Sequence, residues 1–215
     1  VYRPIEEKYD FMDNKNFTFF QLTELNEDET EELIMNLLNI SEMPGDFKKL
    51  VMKKTQGNPF YVEEIVKSLI ENSIIEEDEK GGWAFKAEMK DINLPETVEG
   101  VILGRIDKLG LLERDVLQTA SVLGREFHQK VIERVYRDKK KLRKALEELK
   151  ILDLVTLEEN EQNVKYFFKH ILTREVAYST LSFERKREIY NKAGMCIEEI
   201  MGDRLEEFFG ILSHH

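Results

Sequence analysis

One cysteine, Cys196, stands among 215 residues. No internal disulfide and no multi-cysteine metal site can form from it, and on an apolar helical stretch it reads as a buried thiol. Proline is scarce at four residues and glycine at eleven. Most of them fall between segments with helical apolar spacing, which predicts a mainly α fold. Long apolar runs are missing too: Ile74–Ile75 and Val164 to Phe168 are soon interrupted by charge, far short of the roughly 20 residues that cross a bilayer. No basic-then-apolar segment opens the chain. With the single cysteine, this predicts a cytoplasmic protein with no membrane partner. Positive charge is in the minority, 32 Lys and Arg against 43 Asp and Glu, for a formal charge of −11. Binding to nucleic acid would therefore need a local basic patch.

Catalytic signatures are also absent. A G-x-x-x-x-G-K-[ST] string, whose backbone amides would cradle phosphates, does not occur, so the chain alone is not expected to hydrolyse ATP. The four histidines, His128, His170, His214 and His215, show no H-E-x-x-H spacing. Neither a metal site nor a catalytic residue is assigned.

What is present is helical periodicity. Asn26 followed by Glu27, Asp28 and Glu29 reads as a capped helix start, with Leu33, Ile34, Leu37 and Leu38 as its buried stripe to about Ile40. A second helix is expected from Pro44 to Gln56, and a third from Phe60 to Asn72. Ile74–Ile75 and Trp83 to Phe85 suggest a β-hairpin. Helices then follow at Val98 to Leu109, Leu111 to Leu123, His128 to Tyr136 and Lys139 to Lys150. Strand-like runs at Ile151 to Leu157 and Val164 to Phe168 complete the pattern of a winged helix. Helices at Leu172 to Leu181 and Phe183 to Met201 close the chain, with the start of another before His215. The fold class expected is mainly α: a three-helix lid bundle plus a winged-helix domain with short β-hairpins.

Four strings occur in an order similar to the STAND signalling ATPases, relatives of the AAA ATPases linked to cyclase, kinase or transcription-regulator domains. They are Lys54-Thr55-Gln56-Gly57-Asn58-Pro59-Phe60-Tyr61-Val62-Glu63-Glu64, Leu94-Pro95-Glu96-Thr97-Val98-Glu99-Gly100-Val101-Ile102, Ala120-Ser121-Val122-Leu123-Gly124-Arg125-Glu126-Phe127, and Phe168-Lys169-His170-Ile171-Leu172-Thr173-Arg174-Glu175-Val176-Ala177-Tyr178. The resemblance implies the end of a truncated NTPase core at 1–22, a helical lid with hairpin at 23–92, a winged helix at 93–180, and helices leading into helical repeats at 181–215. The start at Val1 without an initiator Met fits an excised piece of a longer protein, whose P-loop core would lie upstream.

By resemblance, Gly57 and Pro59 match the lid motif, where proline packs on adenine; on their own they also suit a helix end followed by a helix start. His170 matches the winged-helix histidine that reaches the β-phosphate of ADP, although a histidine there also suits a helix cap. Arg3 falls where the family places an arginine that senses the γ-phosphate. The implied ligand is ADP or ATP, with Mg in the parent protein and weak or no binding by this piece. The implied partners are the upstream core, the downstream repeats and, in the parent, a nucleotide-dependent homo-oligomer. Arg174, one helical turn after His170, could support the site or pair with a carboxylate such as Glu175 or Glu184, and the ion pair is the preferred reading. The alternative function is a winged-helix DNA-binding transcriptional regulator using Arg134, Arg137, Lys139, Lys140, Lys141, Arg143 and Lys144. Leu142, Ala145, Leu146 and Leu149 mark the buried side of that helix, so its charges read first as a solvated face.

Overall fold

The computed structural model describes residues 22–40, 42–43, 45–77, 83–85, 94–136, 138–159 and 164–201, with side chains excepted at 84–85 and 195–201. Arg3, the aromatic run at 17–21, Pro44, Arg137, the side chain of Cys196 and the expected final helix lie outside the described residues.

Three helices open the described chain: α1 (Glu27–Leu38), α2 (Gly45–Thr55) and α3 (Pro59–Glu71). Asn26 starts α1 as expected. Its side-chain oxygen accepts from the Asp28 and Glu29 amides at 2.9 and 3.0 Å, and Glu29 reaches back to the Asn26 amide at 2.8 Å, completing a capping box. Leu37 departs from the expected stripe: it is 38% exposed, while Thr30, Ile34 and Leu38 form the buried face. Ile34, Leu38, Phe47, Val51, Val62, Ile65 and Leu69 bring the three helices into one apolar core. A small antiparallel hairpin follows, pairing β1 (Ile75–Glu77) with β2 (Trp83–Phe85).

The second part runs α4 (Val98–Lys108), α5 (Leu111–Leu123), β3 (Glu126–His128), α6 (Gln129–Val135), α7 (Lys139–Ile151), β4 (Val155–Glu159), β5 (Val164–Phe168), α8 (Ile171–Ser179) and α9 (Phe183–Met201). Its sheet is antiparallel in the order β3-β5-β4. The stretch from α5 to β5 is a winged-helix arrangement, with α7 in the place of the last helix before the wing. The molecule is thus mainly α with short β elements. Among the described residues no helix is long and apolar enough to cross a membrane.

Two strand expectations change. Sequence spacing gave no sign of β3, whose three residues become a strand by pairing with β5 across about 40 positions of chain. The strand expected from Ile151 begins only at Val155, because α7 continues through Ile151 and the chain turns at Asp153, whose φ is +60°.

A second core holds Ile102, Ile106, Leu117, Leu123, Phe127, Leu142, Leu146, Leu149, Phe168 and Ile189. Helix α4 serves both cores. Val101 belongs to the first and Ile102 and Ile106 to the second, while Val98 packs against each.

Candidate functional site

The segment between α2 and α3 is shaped by Gly57. Both Gln56 and Gly57 adopt the left-handed region, with φ of +51° and +78°. Glycine is required at the second position, because a Cβ there would collide with the Leu25 backbone carbonyl. The Leu25 amide also donates to the Gly57 carbonyl at 2.8 Å. The close approach that Gly57 permits in this structure is therefore to the chain entering α1. Asn58 then caps α3, its side-chain oxygen accepting from the Tyr61 amide at 3.1 Å. Pro59 occupies the first turn, where its missing N–H is no loss. Its ring is exposed, whereas Gly57 is buried.

Phe60, the next residue, carries the contact to the second part of the molecule. Its ring stacks on His170 with centroids 4.0 Å apart and planes 28° from parallel. His170 occupies the cap position of α8, but its side chain makes no capping hydrogen bond. Its Nε2 is buried and has no hydrogen-bond partner. An unmade hydrogen bond at a buried polar atom costs about 1–3 kcal/mol, so this nitrogen calls for an explanation. Burial pushes the imidazole pKa below its ordinary 6.5; nearby Glu64 and Glu63 act upward, and Lys67 and Lys169 downward. The ring is thus held neutral at pH 7, able to accept or donate at Nε2.

Around this stack, charged side chains join α3 to the winged helix. Arg105 of α4 reaches Glu64 Oε2 at 2.6 Å through Nη1, Glu71 Oε1 at 2.8 Å through Nε, and the Leu152 carbonyl at 2.8 Å through Nη2. The Arg105 and Glu64 side chains are only 4% and 2% exposed. Burial acts to lower the arginine pKa, but Glu71 and Glu64 outweigh it and hold the guanidinium charged. Next to them, Asp153 receives Lys67 of α3 at 2.5 Å and also Lys169. Burial would raise its carboxyl pKa, yet the two lysines hold it below the usual range. Tyr61 donates to the Pro95 carbonyl at 2.7 Å, and Lys54 pairs with Glu96.

Of the residues singled out from sequence, Pro59 sits in the first turn of α3 just before Phe60, whose ring stacks on His170, and Gly57 shapes the turn that leads into the helix. Arg3 lies outside the described residues. Arg174 pairs with neither Glu175 nor Glu184: its Nε donates to the Ser121 carbonyl at 2.8 Å, and its guanidinium lies over the Tyr178 ring. Phe60, Glu64, Lys67, Arg105 and Asp153 were not singled out. Two of them left a trace in the sequence, since Glu64 and Arg105 are charges set inside the buried stripes of α3 and α4. Among the described residues no group of three metal-ligating side chains gathers.

A family model described as a domain of unknown function (DUF8739) matches residues 26–81. That match takes in Gly57, Pro59 and Phe60 and stops short of His170. No curated protein matches the chain.

Proposed function

We propose that this chain is the regulatory lid and winged-helix portion of a STAND-type signal-transduction ATPase, closing over ADP or ATP held by an upstream P-loop core in the cytoplasm. The observation that carries the reading is the buried, unpartnered Nε2 of His170, whose ring stacks on Phe60, the residue after the exposed Pro59. These features fit a nucleotide: the proline ring offers a rigid apolar cover for a flat base, and the imidazole holds one unpartnered polar atom that a phosphate oxygen would meet once the atom is uncovered. The nucleotide, when bound, supplies the negative charge that favours protonation of His170. Glu63 and Glu64 support that protonated form, and Nε2 then donates a charge-assisted hydrogen bond.

No catalytic step falls to this chain. Its part is to cover the base, read phosphate and pass the nucleotide state to effector domains, downstream helical repeats and other copies. A charged hydrogen bond contributes roughly 1.5–3 kcal/mol, while moving a two-state equilibrium from 1:99 to 99:1 takes about 5.5 kcal/mol. His170 therefore works together with Pro59 and the core, whose Mg would hold the phosphates.

The test is the nucleotide content of the parent protein, purified without added nucleotide, denatured and resolved by chromatography. Near-stoichiometric ADP is expected in the parent, with clear losses in His170→Ala and Pro59→Arg. A folded parent without nucleotide, or full retention in both variants, would overturn the reading. The rival reading, a DNA-binding winged helix, rests on the exposed basic residues of α7; the exposed Glu158 and Glu159 beside the wing oppose it.

A further inference from the structure

The contact between Phe60 and His170 sets up a conflict inside the proposed site. The imidazole lies against the phenyl ring and its Nε2 is buried without a partner, yet a phosphate oxygen can meet only an atom that it can reach. Something has to leave before His170 can act, and the ring packed on it is that of Phe60.

The backbone around Phe60 is pinned on both sides. The Leu25 amide holds the Gly57 carbonyl, the Asn58 side chain accepts from the Tyr61 amide, and the Tyr61 hydroxyl donates to the Pro95 carbonyl. The turn therefore stays where it is, and the phenyl ring is the part that moves, by a change of side-chain rotamer. Phe60 is half-buried, at the margin of the seam. Among the described residues it is the one side chain of α1, α2 and α3 that packs against the second core. Beside it, Arg105 holds Glu64 and Glu71, and Lys67 holds Asp153. Those ion pairs keep α3 seated when the ring swings away.

The charges facing the imidazole suit a histidine that changes state on opening. Glu63 and Glu64 of α3 favour the imidazolium, Lys67 of α3 and the neighbouring Lys169 oppose it, and burial outweighs the carboxylates. Protonation under the closed ring would gain a cation–π contact with Phe60 but would bury a charged N–H without an acceptor, the costlier of the two. Once Nε2 is uncovered, that cost is gone, and the two carboxylates and a phosphate all favour the proton.

We propose that Phe60 is a gate on His170: stacked, its ring withholds Nε2 from nucleotide phosphate, and swinging off the imidazole admits the phosphate. The gate rests on the nucleotide reading of His170 and adds a regulation to it. The ring competes with the ligand instead of supporting it, so a stack populated about nine times in ten would weaken the apparent affinity about tenfold.

The experiment measures the ADP dissociation constant of the parent protein by calorimetric titration after nucleotide is stripped, beside Phe60→Ala, His170→Ala and the double variant. Phe60→Ala should bind ADP about three- to tenfold more tightly than the parent. His170→Ala should bind it more weakly, and adding Phe60→Ala to that variant should change nothing further, because the gate acts only through the histidine. On the chain without nucleotide, Phe60→Ala should also bring the His170 pKa up towards 6.5, read from the imidazole C–H proton shifts. A ring that merely packs the seam would loosen ADP when removed, with or without the histidine. Phe60→Leu, which keeps apolar bulk and loses the aromatic stack, replaces alanine if the urea midpoint shows the fold disturbed. Weaker or unchanged ADP binding in the Phe60 variant, beside a loss in His170→Ala, overturns the gate and leaves the nucleotide reading standing. An unmoved His170 pKa overturns the gate as well. Unchanged ADP binding in His170→Ala overturns the reading and the gate together.

Discussion

At Gly57 a single hydrogen atom in place of a side chain decides how the chain enters α3. Gly57→Ala would force an L residue into φ of +78° and drive its Cβ into the Leu25 carbonyl. Such incompatible substitutions destabilise by more than about 1 kcal/mol, and a lower urea midpoint at unchanged m-value would register it. His170 makes a different prediction. Its pKa is depressed in the folded state, so the unfolded chain binds the proton first as pH falls. The stability tied to the neutral ring is fully present above the ordinary value of 6.5 and is lost as pH drops through the folded pKa. Urea midpoints at pH 7.5 and 5.5 should diverge in the wild type and converge in His170→Gln; an equal pH response in both would exclude the histidine as the source. The string from Lys54 to Glu64 singled out Gly57 and Pro59, but not the partner that makes Phe60 matter. A ring stack across about 110 positions of chain has no periodic trace.

The elements were most legible where a local signal sufficed. The spacing in Leu111–Leu123, Val164–Phe168 and Phe183–Met201 located α5, β5 and α9, and Asn26 marked the start of α1 through its own side chain. Legibility failed where a distant group decides. Strand β3 exists through β5, and the turn that follows α7 holds Asp153 between Lys67 and Lys169. Arg105 is the strongest case, a charge inside an apolar stripe that only the fold supplies with acids. Removing it strands Glu64, so Arg105→Ala should destabilise by about 3–5 kcal/mol, while Arg105→Met with Glu64→Leu should recover much of the loss. Thermal unfolding of the singles and the double gives the coupling; equal losses in the single and the double would show that the pair is not what joins α3 to α4.

At the scale of the whole molecule, two kinds of contact join the halves. The stack of Phe60 on His170 would open and close, and the ion pairs of Arg105 and Lys67 would keep α3 seated beside it. Variants of one should leave the other intact: Phe60→Ala should show the same coupling between Arg105 and Glu64 in thermal unfolding as the wild type. Loss of that coupling in Phe60→Ala would merge the two contacts into one.

The sharing of α4 bears on how the chain can be dissected. A division at residue 92, or at the end of the segment matched by the family model, looks natural on the sequence. It would nonetheless strip Leu94 and Val101 from the first core, where they are 5% and 1% exposed. A piece ending there would display a raw apolar gap and should be prone to aggregation and quickly digested by protease. A piece carried through Lys108 would keep that wall but bare Ile102 and Ile106, which the second core buries. Helix α4 is a shared wall, and a cut on either side of it opens one of the two cores.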